Sequence, residues 1–257
     1  MLVSIVTPSY NQGHFIEETI QSVLSQDYPE IEYLILDGGS KDNSVAVIRQ
    51  YQQRLAYWTS QKDAGQSDAI NQGFARARGE ILAWINSDDT YQPGAVREAV
   101  EYLRTHPEVG MVYGDANLTD ASGQVVGQFA ARQTGYRSLL RGSVHIPQAT
   151  TFFRAELFRQ VGPLSTSLFI FDYDLWVKLA RISELRYVPR LWANFRLHES
   201  GKSVANDDLF YPEMLKVYER EVGGWFSQMR LRWYARRLLY AWLPWRLRLR
   251  LRKALTR

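Results

Sequence analysis

The stretch Gly79-Glu-Ile-Leu-Ala-Trp-Ile-Asn-Ser-Asp-Asp89 runs from an apolar segment straight into two adjacent carboxylates. Residues 79–85 read as a strand, with Asn86-Ser87-Asp88-Asp89 as the loop at its carboxyl end. The same pattern recurs upstream. Leu2-Val-Ser-Ile-Val-Thr7 is an apolar run stopped by Pro8. Residues 31–36 form a second run ending at Asp37-Gly38-Gly39, and 55–59 a short third. Helix patterns lie between the runs. One covers roughly 14–26, with Phe15, Ile16, Ile20, Val23 and Leu24 at helical spacing. Ser40-Lys41-Asp42 looks like a cap for another, reaching to about 53, and a third follows Asp63-Ala64-Gly65 over about 66–77. Beyond the quoted stretch a helix follows Pro93 and a strand lies near 109–114.

Strands thus alternate with helices about every 25–30 residues, which predicts an α/β fold. The expected architecture is a mostly parallel central sheet with helices on both faces. Ligands of such sheets gather at the carboxyl ends of the strands. Thr7, Asp37, Asp88 and Asp89 all fall there. The second half is less regular. Residues 123–153 read as short strands and loops, including His145-Ile-Pro147-Gln148. A helix over about 172–182 carries Asp172-Tyr-Asp174-Leu-Trp176. Short strands at 185–188 and 191–197 lead to His198, and a helix covers about 206–222. No internal repeat or low-complexity linker is visible. The reading is one domain over 1–224 with a C-terminal extension, 225–257, expected to be helical.

Charge divides the chain the same way. Of 257 residues, 225–257 carry ten Lys/Arg and no Asp/Glu, leaving 21 basic and 27 acidic residues in 1–224, a net of −6. The body has the balance of an acidic enzyme, and the basic character belongs to the tail. There is no cysteine, which excludes disulfides and thiolate metal sites and fits a reducing compartment. The N-terminus runs into a strand pattern without a basic lead, so no signal peptide is expected. No apolar run is long enough for a transmembrane helix.

Adjacent carboxylates at a strand end are costly unless something neutralises them, and a hard divalent cation is a natural partner for Asp88 and Asp89. The plain structural alternative is capping of the helix after Pro93. Asp37, before two glycines, can accept hydrogen bonds from a base or ribose, or can simply serve a turn. Gly65-Gln66-Ser67-Asp68 opens a helix whose free amides suit a diphosphate or sugar hydroxyls; ordinary capping by Ser67 or Asp68 is the alternative. Asp172 and Asp174 lie among Phe169, Phe171, Tyr173 and Trp176, a setting that raises proton affinity and suits a general base and sugar rings. A helix cap with Trp176 in the core is the alternative. His198 can touch a metal or a diphosphate, or can be structural.

Taken together, Ser4-Ile-Val-Thr-Pro-Ser-Tyr-Asn-Gln12, Leu36-Asp-Gly-Gly-Ser-Lys-Asp-Asn-Ser44, the 79–89 stretch, Asp63-Ala-Gly-Gln-Ser-Asp-Ala-Ile-Asn-Gln-Gly-Phe74, Asp172-Tyr-Asp-Leu-Trp176 and Phe195-Arg-Leu-His198 resemble the family 2 glycosyltransferases, in that family's order, over about residues 3–200. The resemblance implies the Rossmann-like GT-A fold and an inverting transfer from a UDP-, GDP- or dTDP-sugar. It implies that Thr7, Pro8 and Tyr10 line a nucleotide pocket and that Asp37 binds base or ribose. Asp63 and Asp68 would sit beside nucleotide and sugar, and Asp89 near the donor sugar. Asp88 would ligate Mg²⁺ or Mn²⁺, with His198 approaching the metal or the diphosphate. Asp172 would be the catalytic base. Two departures stand out. Asn86 replaces the usual acid two places before Asp88, which leaves the number of carboxylate ligands open. Phe171 stands where many relatives have Glu, which leaves Asp172 or Asp174 as base.

In the tail, Trp225, Trp233, Trp242 and Trp245 alternate with arginines. Leu243, Leu247, Leu251 and Leu255 could form one apolar stripe, although the Arg/Leu alternation at 246–252 also matches a strand. Such a segment suits an anionic membrane surface. Its alternatives are packing on the body or a homodimer surface; an acidic body argues against nucleic acid. The corresponding expectation is a lipid-linked saccharide acceptor in surface-polysaccharide assembly, at the cytoplasmic face of a membrane. A non-catalytic nucleotide-sugar or membrane-binding module is the competing reading. A dinucleotide oxidoreductase and a nucleotidyltransferase both want a glycine-rich turn after the first strand, where Thr7-Pro-Ser-Tyr-Asn11 stands instead.

Overall fold

The computed structural model describes residues 1–198 and 210–223, with Leu231 and Tyr234. The chain divides into two units, Met1–Asp207 and Asp208–Arg257. The first opens with β1 (Val3–Ser9), α1 (Ile16–Leu24), β2 (Ile31–Asp37), α2 (Ser44–Tyr51), β3 (Tyr57–Ser60), α3 (Gln66–Arg76) and β4 (Ile81–Trp84). It continues with β5 (Thr90–Tyr91), α4 (Ala95–Thr105), β6 (Val109–Thr119), β7 (Val125–Phe129), α5 (Tyr136–Leu140), β8 (Phe152–Arg154), α6 (Ala155–Val161), α7 (Phe171–Ile182) and β9 (Glu184–Arg196). The second unit contributes α8 (Phe210–Val222). The basic extension at 225–257 lies outside the described residues, Leu231 and Tyr234 aside. No helix among the described residues is long and apolar enough to cross a membrane.

The sheet runs β3-β2-β1-β4-β8-β6-β9-β5, with β7 paired to β6. Its first four strands are parallel, as the alternating pattern predicts. β8 then joins antiparallel to both β4 and β6, β9 lies parallel to β6, and β5 closes antiparallel on β9. The result is a mixed α/β sheet whose parallel half carries the strand ends of interest. Because β1 lies between β2 and β4, the order reverses there, and a crevice opens at the carboxyl ends beside it.

Strand alternation sorts the core into two layers. Val3, Ile5, Tyr33, Ile35, Ile81 and Ala83 are buried together with Ile16 and Ile20 of α1, Val47 and Ile48 of α2, and Val96 and Leu103 of α4. The opposite face presents Val6, Leu36 and Trp84. There Gly73 of α3 sits so close that an added Cβ would lie 2.6 Å from Val6 Cγ1 and 3.0 Å from Leu36 Cδ2. Trp84 stacks on Trp176 of α7 at 5.5 Å and meets Phe74 edge-on at 6.2 Å. Burying side chains of this size stabilises by about 2–3 kcal/mol each. Helices therefore cover both faces.

β9 differs from the two short strands read at 185–188 and 191–197. It is one strand, with its register against β6 shifting between Tyr113–Tyr187 and Asp115–Leu191. Pro189 falls in that irregularity, where a missing amide hydrogen is tolerated.

Candidate active site

The carboxyl ends of β1, β2, β3 and β4 surround a cavity of about 870 Å³. Pro8 and Ser9 at the end of β1 line it with Tyr10 and Gln12, as do Gly38 to Lys41 after β2, Ser60 at the end of β3 with Gln61 to Asp63, and Asn86, Ser87 and Asp88 after β4. Gly65, Gln66 and Ala69 at the start of α3 and Phe195 and Arg196 at the end of β9 complete the wall. Gly65 adopts φ 111°, a conformation that favours glycine, as the chain turns into α3.

Asp37 lies beneath this wall, 1% exposed. Its Oδ2 accepts from the amides of Gly39 (3.1 Å) and Ser40 (2.9 Å) and from Ser60 Oγ (2.6 Å), and its Oδ1 from Ser40 Oγ (2.5 Å). It shapes the loop that faces the cavity. Asp63 lines the cavity while Oδ1 accepts from the Gly65 amide at 2.8 Å. Asp68 is turned to its own helix, accepting from Ala64 N (3.0 Å) and Gln72 Nε2 (2.9 Å), and is not in the cavity wall. Thr7 is fully buried, its hydroxyl 2.9 Å from that of Tyr33, and faces the core rather than the cavity.

The carboxylate pair splits. Asp88 reaches the cavity, and its Oδ2 lies 2.9 Å from His198 Nε2. Asp89 is 1% exposed and lies outside the cavity wall. Its Oδ1 accepts from the Arg196 amide at 3.0 Å and its Oδ2 from Asn86 Nδ2 at 3.2 Å. Burial, and then the neighbouring Asp88 charge, push the Asp89 carboxyl well above the usual range; the Arg196 amide and Asn86 pull it back in part.

Asp172 stands half-buried in the first turn of α7, its Oδ1 accepting from the Tyr173 amide at 2.8 Å, and is not among the residues lining the cavity. Asp174 is 1% exposed and pairs with Lys178 Nζ at 2.8 Å. Three of the four aromatic residues around them offer no face to a sugar, while Phe169 is half-buried. Phe171, Tyr173 and Trp176 are buried, with Tyr173 donating to the Leu139 carbonyl at 2.8 Å. The position where many relatives have Glu thus holds a core residue, Phe171, 6.3 Å from Trp84.

Two features escape a reading along the chain. Gln66 Nε2 donates to Asn86 Oδ1 (2.7 Å), Asn86 Nδ2 to Gln148 Oε1 (3.1 Å), and Gln148 Nε2 to the Trp84 carbonyl (2.9 Å). This amide chain joins α3, the β4 loop and the 145–148 loop. The other is Arg196, 6% exposed. Its Nε donates to the Asp88 carbonyl (3.0 Å), one terminal nitrogen to Ala121 O (3.1 Å) and the other to Glu18, while its guanidinium lies 4.9 Å over the Phe15 ring. The motif around His198 contains it, but nothing in its spacing shows that it ties β9 to three other segments, the Asp88 loop, the turn at Ala121 and the start of α1.

Asp88 and His198 are the donors a divalent ion could use. Among the described residues no group of three or more His, Cys, Asp or Glu is placed to hold a metal. The Asp88 carboxylate still suits Mg²⁺ or Mn²⁺, which bind through one or two protein carboxylates and complete their shells with substrate phosphates and water.

Solved structures share this architecture. S. aureus TarS, residues 1–349, in complex with UDP-GlcNAc superposes with a TM-score of 0.70 at 18% identity, over 90% of this chain and 69% of that one. The mannosyltransferase from Pyrobaculum calidifontis in complex with GDP-Man and Mn²⁺ gives 0.64 at 20% identity, over 83% and 64%. In sequence the chain is 28% identical over 219 residues to an uncharacterized glycosyltransferase of Rickettsia conorii, covering 80% of this chain and 36% of that protein. It is 33% identical over 165 residues to one of Mycobacterium tuberculosis, covering 62% of this chain and 61% of the relative. The chain thus spans a third to two thirds of the length of these relatives. The profile described as "Glycosyl transferase family 2" matches residues 4–162, more than half of the sequence, and this chain belongs to that family.

Proposed function

We propose that the chain is an inverting, metal-dependent glycosyltransferase that moves a sugar from a nucleotide-sugar to a hydroxyl of a lipid-linked saccharide. The observation that carries the reading is the convergence of four parallel strand ends on one cavity, with Asp88 in its wall and His198 against Asp88. That relatives in fold were solved with UDP-GlcNAc and with GDP-Man and Mn²⁺ supports a nucleotide-sugar donor and a divalent ion.

In this reading Pro8 and Tyr10 hold the nucleotide, on a loop fixed by Asp37. Asp63 takes the nucleotide or sugar beside the α3 amino end, whose amides favour negative charge. Asp88 and His198 hold Mg²⁺ or Mn²⁺, which when bound neutralises charge on the departing diphosphate. Asp172 removes the proton from the acceptor hydroxyl as that oxygen attacks the anomeric carbon opposite the leaving group. Asp172 suits this better than Asp174, whose carboxylate is buried and committed to Lys178. Thr7, Asp68 and Asp89 act one step back, shaping the walls. The 225–257 segment, basic and rich in Trp and Leu, would hold the enzyme on an anionic cytoplasmic membrane face.

A panel of UDP-, GDP- and dTDP-sugars, scored for metal-dependent hydrolysis and thermal stabilisation, tests the reading. One nucleotide should stand out. If none shifts the melting temperature with either ion present, a module without donor chemistry is the better account.

A further inference from the structure

Between Asp120 and Glu156 there is no acidic residue, while Arg132, Arg137, Arg141 and Arg154 all fall in that interval. In a body whose net charge is −6 this is a marked local reversal. Arg154 is accounted for: its guanidinium donates to the carbonyls of Val109 (2.8 Å), Leu103 (2.7 Å) and His106 (3.2 Å). The other three are exposed, and none forms an ion pair with a described residue. Arg137 and Arg141 stand four residues apart on one helical turn, where like charges repel. An anion seated against such a set relieves that repulsion.

Its place in the fold says which anion. The segment is held, not loose. Tyr113 donates from its hydroxyl to the Arg132 carbonyl at 2.9 Å, and the Thr134 amide returns a bond to that hydroxyl at 2.8 Å. Leu139, between Arg137 and Arg141, is fully buried, and its carbonyl accepts from Tyr173 at 2.8 Å, one residue beyond Asp172. At its far end the segment reaches Gln148, bonded to Asn86 in the cavity wall. The three arginines therefore lie on the segment that meets α7 beside Asp172, through Leu139, and leads on to the cavity wall at Gln148.

We infer that Arg132, Arg137 and Arg141 bind a phosphate or diphosphate carried by the acceptor. The inference rests on the acceptor side of the proposed function and narrows it: the acceptor is anionic, and its phosphate is read by guanidinium groups.

Binding of geranyl diphosphate, with geraniol as the uncharged control, tests this on the full chain. Wild type should bind the diphosphate and ignore the alcohol. A variant with Arg132→Gln, Arg137→Gln and Arg141→Gln should bind at least about tenfold more weakly, the loss of a single charge-assisted hydrogen bond. The corresponding triple Lys variant should recover part of the affinity, which separates lost charge from lost folding. Equal affinity of wild type and the Gln variant overturns the inference. So does an arginine dependence seen only with phosphatidylglycerol vesicles, which would assign the segment to a membrane surface. None of the three residues lines the donor cavity, so stabilisation by nucleotide-sugars reads the donor reaction separately.

Discussion

His198 Nε2 and Asp88 Oδ2 lie 2.9 Å apart, although 110 positions separate them in the chain. The contact fastens the end of β9 to the loop after β4, and in the proposed mechanism both groups serve one ion. Asp88→Ala and His198→Ala should each lower activity, and chelation should abolish what remains. The double variant should lose much less than the two single losses combined, because either change already disables the site. Full additivity in that cycle would mean the two residues work independently.

Asp172→Asn keeps the shape of the side chain and removes the base. Turnover should fall by at least about 100-fold, the low end for one general base, while nucleotide-sugar stabilisation stays as in wild type. Asp174→Asn should act mainly on stability, since its carboxylate pairs with Lys178 in a buried setting. A fully active Asp172→Asn enzyme would falsify the assignment.

Gly73→Ala tests how closely α3 must approach the sheet. A methyl group there meets both Val6 and Leu36 at 3.0 Å or less. Overpacking of this kind costs about 1–3 kcal/mol, more than the gain from Ala in a helix. Chemical denaturation should show the loss. The Michaelis constant for the donor should rise as well, because a displaced α3 moves Gln66 away from Asn86.

Glu32 supplies a pH signature remote from the cavity. Burial raises its proton affinity, but the Arg78 amide, the Ser4 hydroxyl and the Arg78 guanidinium outweigh this and hold the carboxyl below its usual value. Such a group stabilises the fold fully above the unfolded-state value near 4.5, and the contribution is lost as pH falls through the lower folded-state value. Glu32→Gln should therefore cost about 2 kcal/mol at neutral pH, typical of hydrogen bonds to a charged group. The gap to wild type should close as the solution is acidified below that window. A gap independent of pH would contradict the role of the charge.

Much of the parallel half was legible because each strand is an apolar run that stops at a polar turn. The crevice followed from where those runs end. Side-chain direction was harder. Thr7 shares a face with Val3 and Ile5, so alternation along β1 already sends it into the core beside Tyr33. Asp88 and Asp89 read alike in sequence, and only the arrival of the Arg196 amide from β9 separates a cavity ligand from a buried brace. Asp172 and Asp174 could have been told apart: residues two apart on a helix point to different sides, and Lys178 stands four after Asp174. Pro189 hid the continuity of β9, since a proline inside a strand normally argues against one. The Gln66–Asn86–Gln148 chain left no local mark, because its partners come from three distant segments.

β9 has a last consequence, for the order in which the cavity is completed as the chain is made. It is the neighbour of both β6 and β5 and brings Arg196 and His198 to the Asp88 loop. A nascent polypeptide that has left the ribosome only as far as residue 162, the limit of the family match, carries the loops after β1 to β4 and all four parallel strands but lacks the clasp that Arg196 and His198 supply. The Asp88 loop is therefore braced only late in synthesis, once β9, the last of the described strands, has entered between β6 and β5, both made well before it.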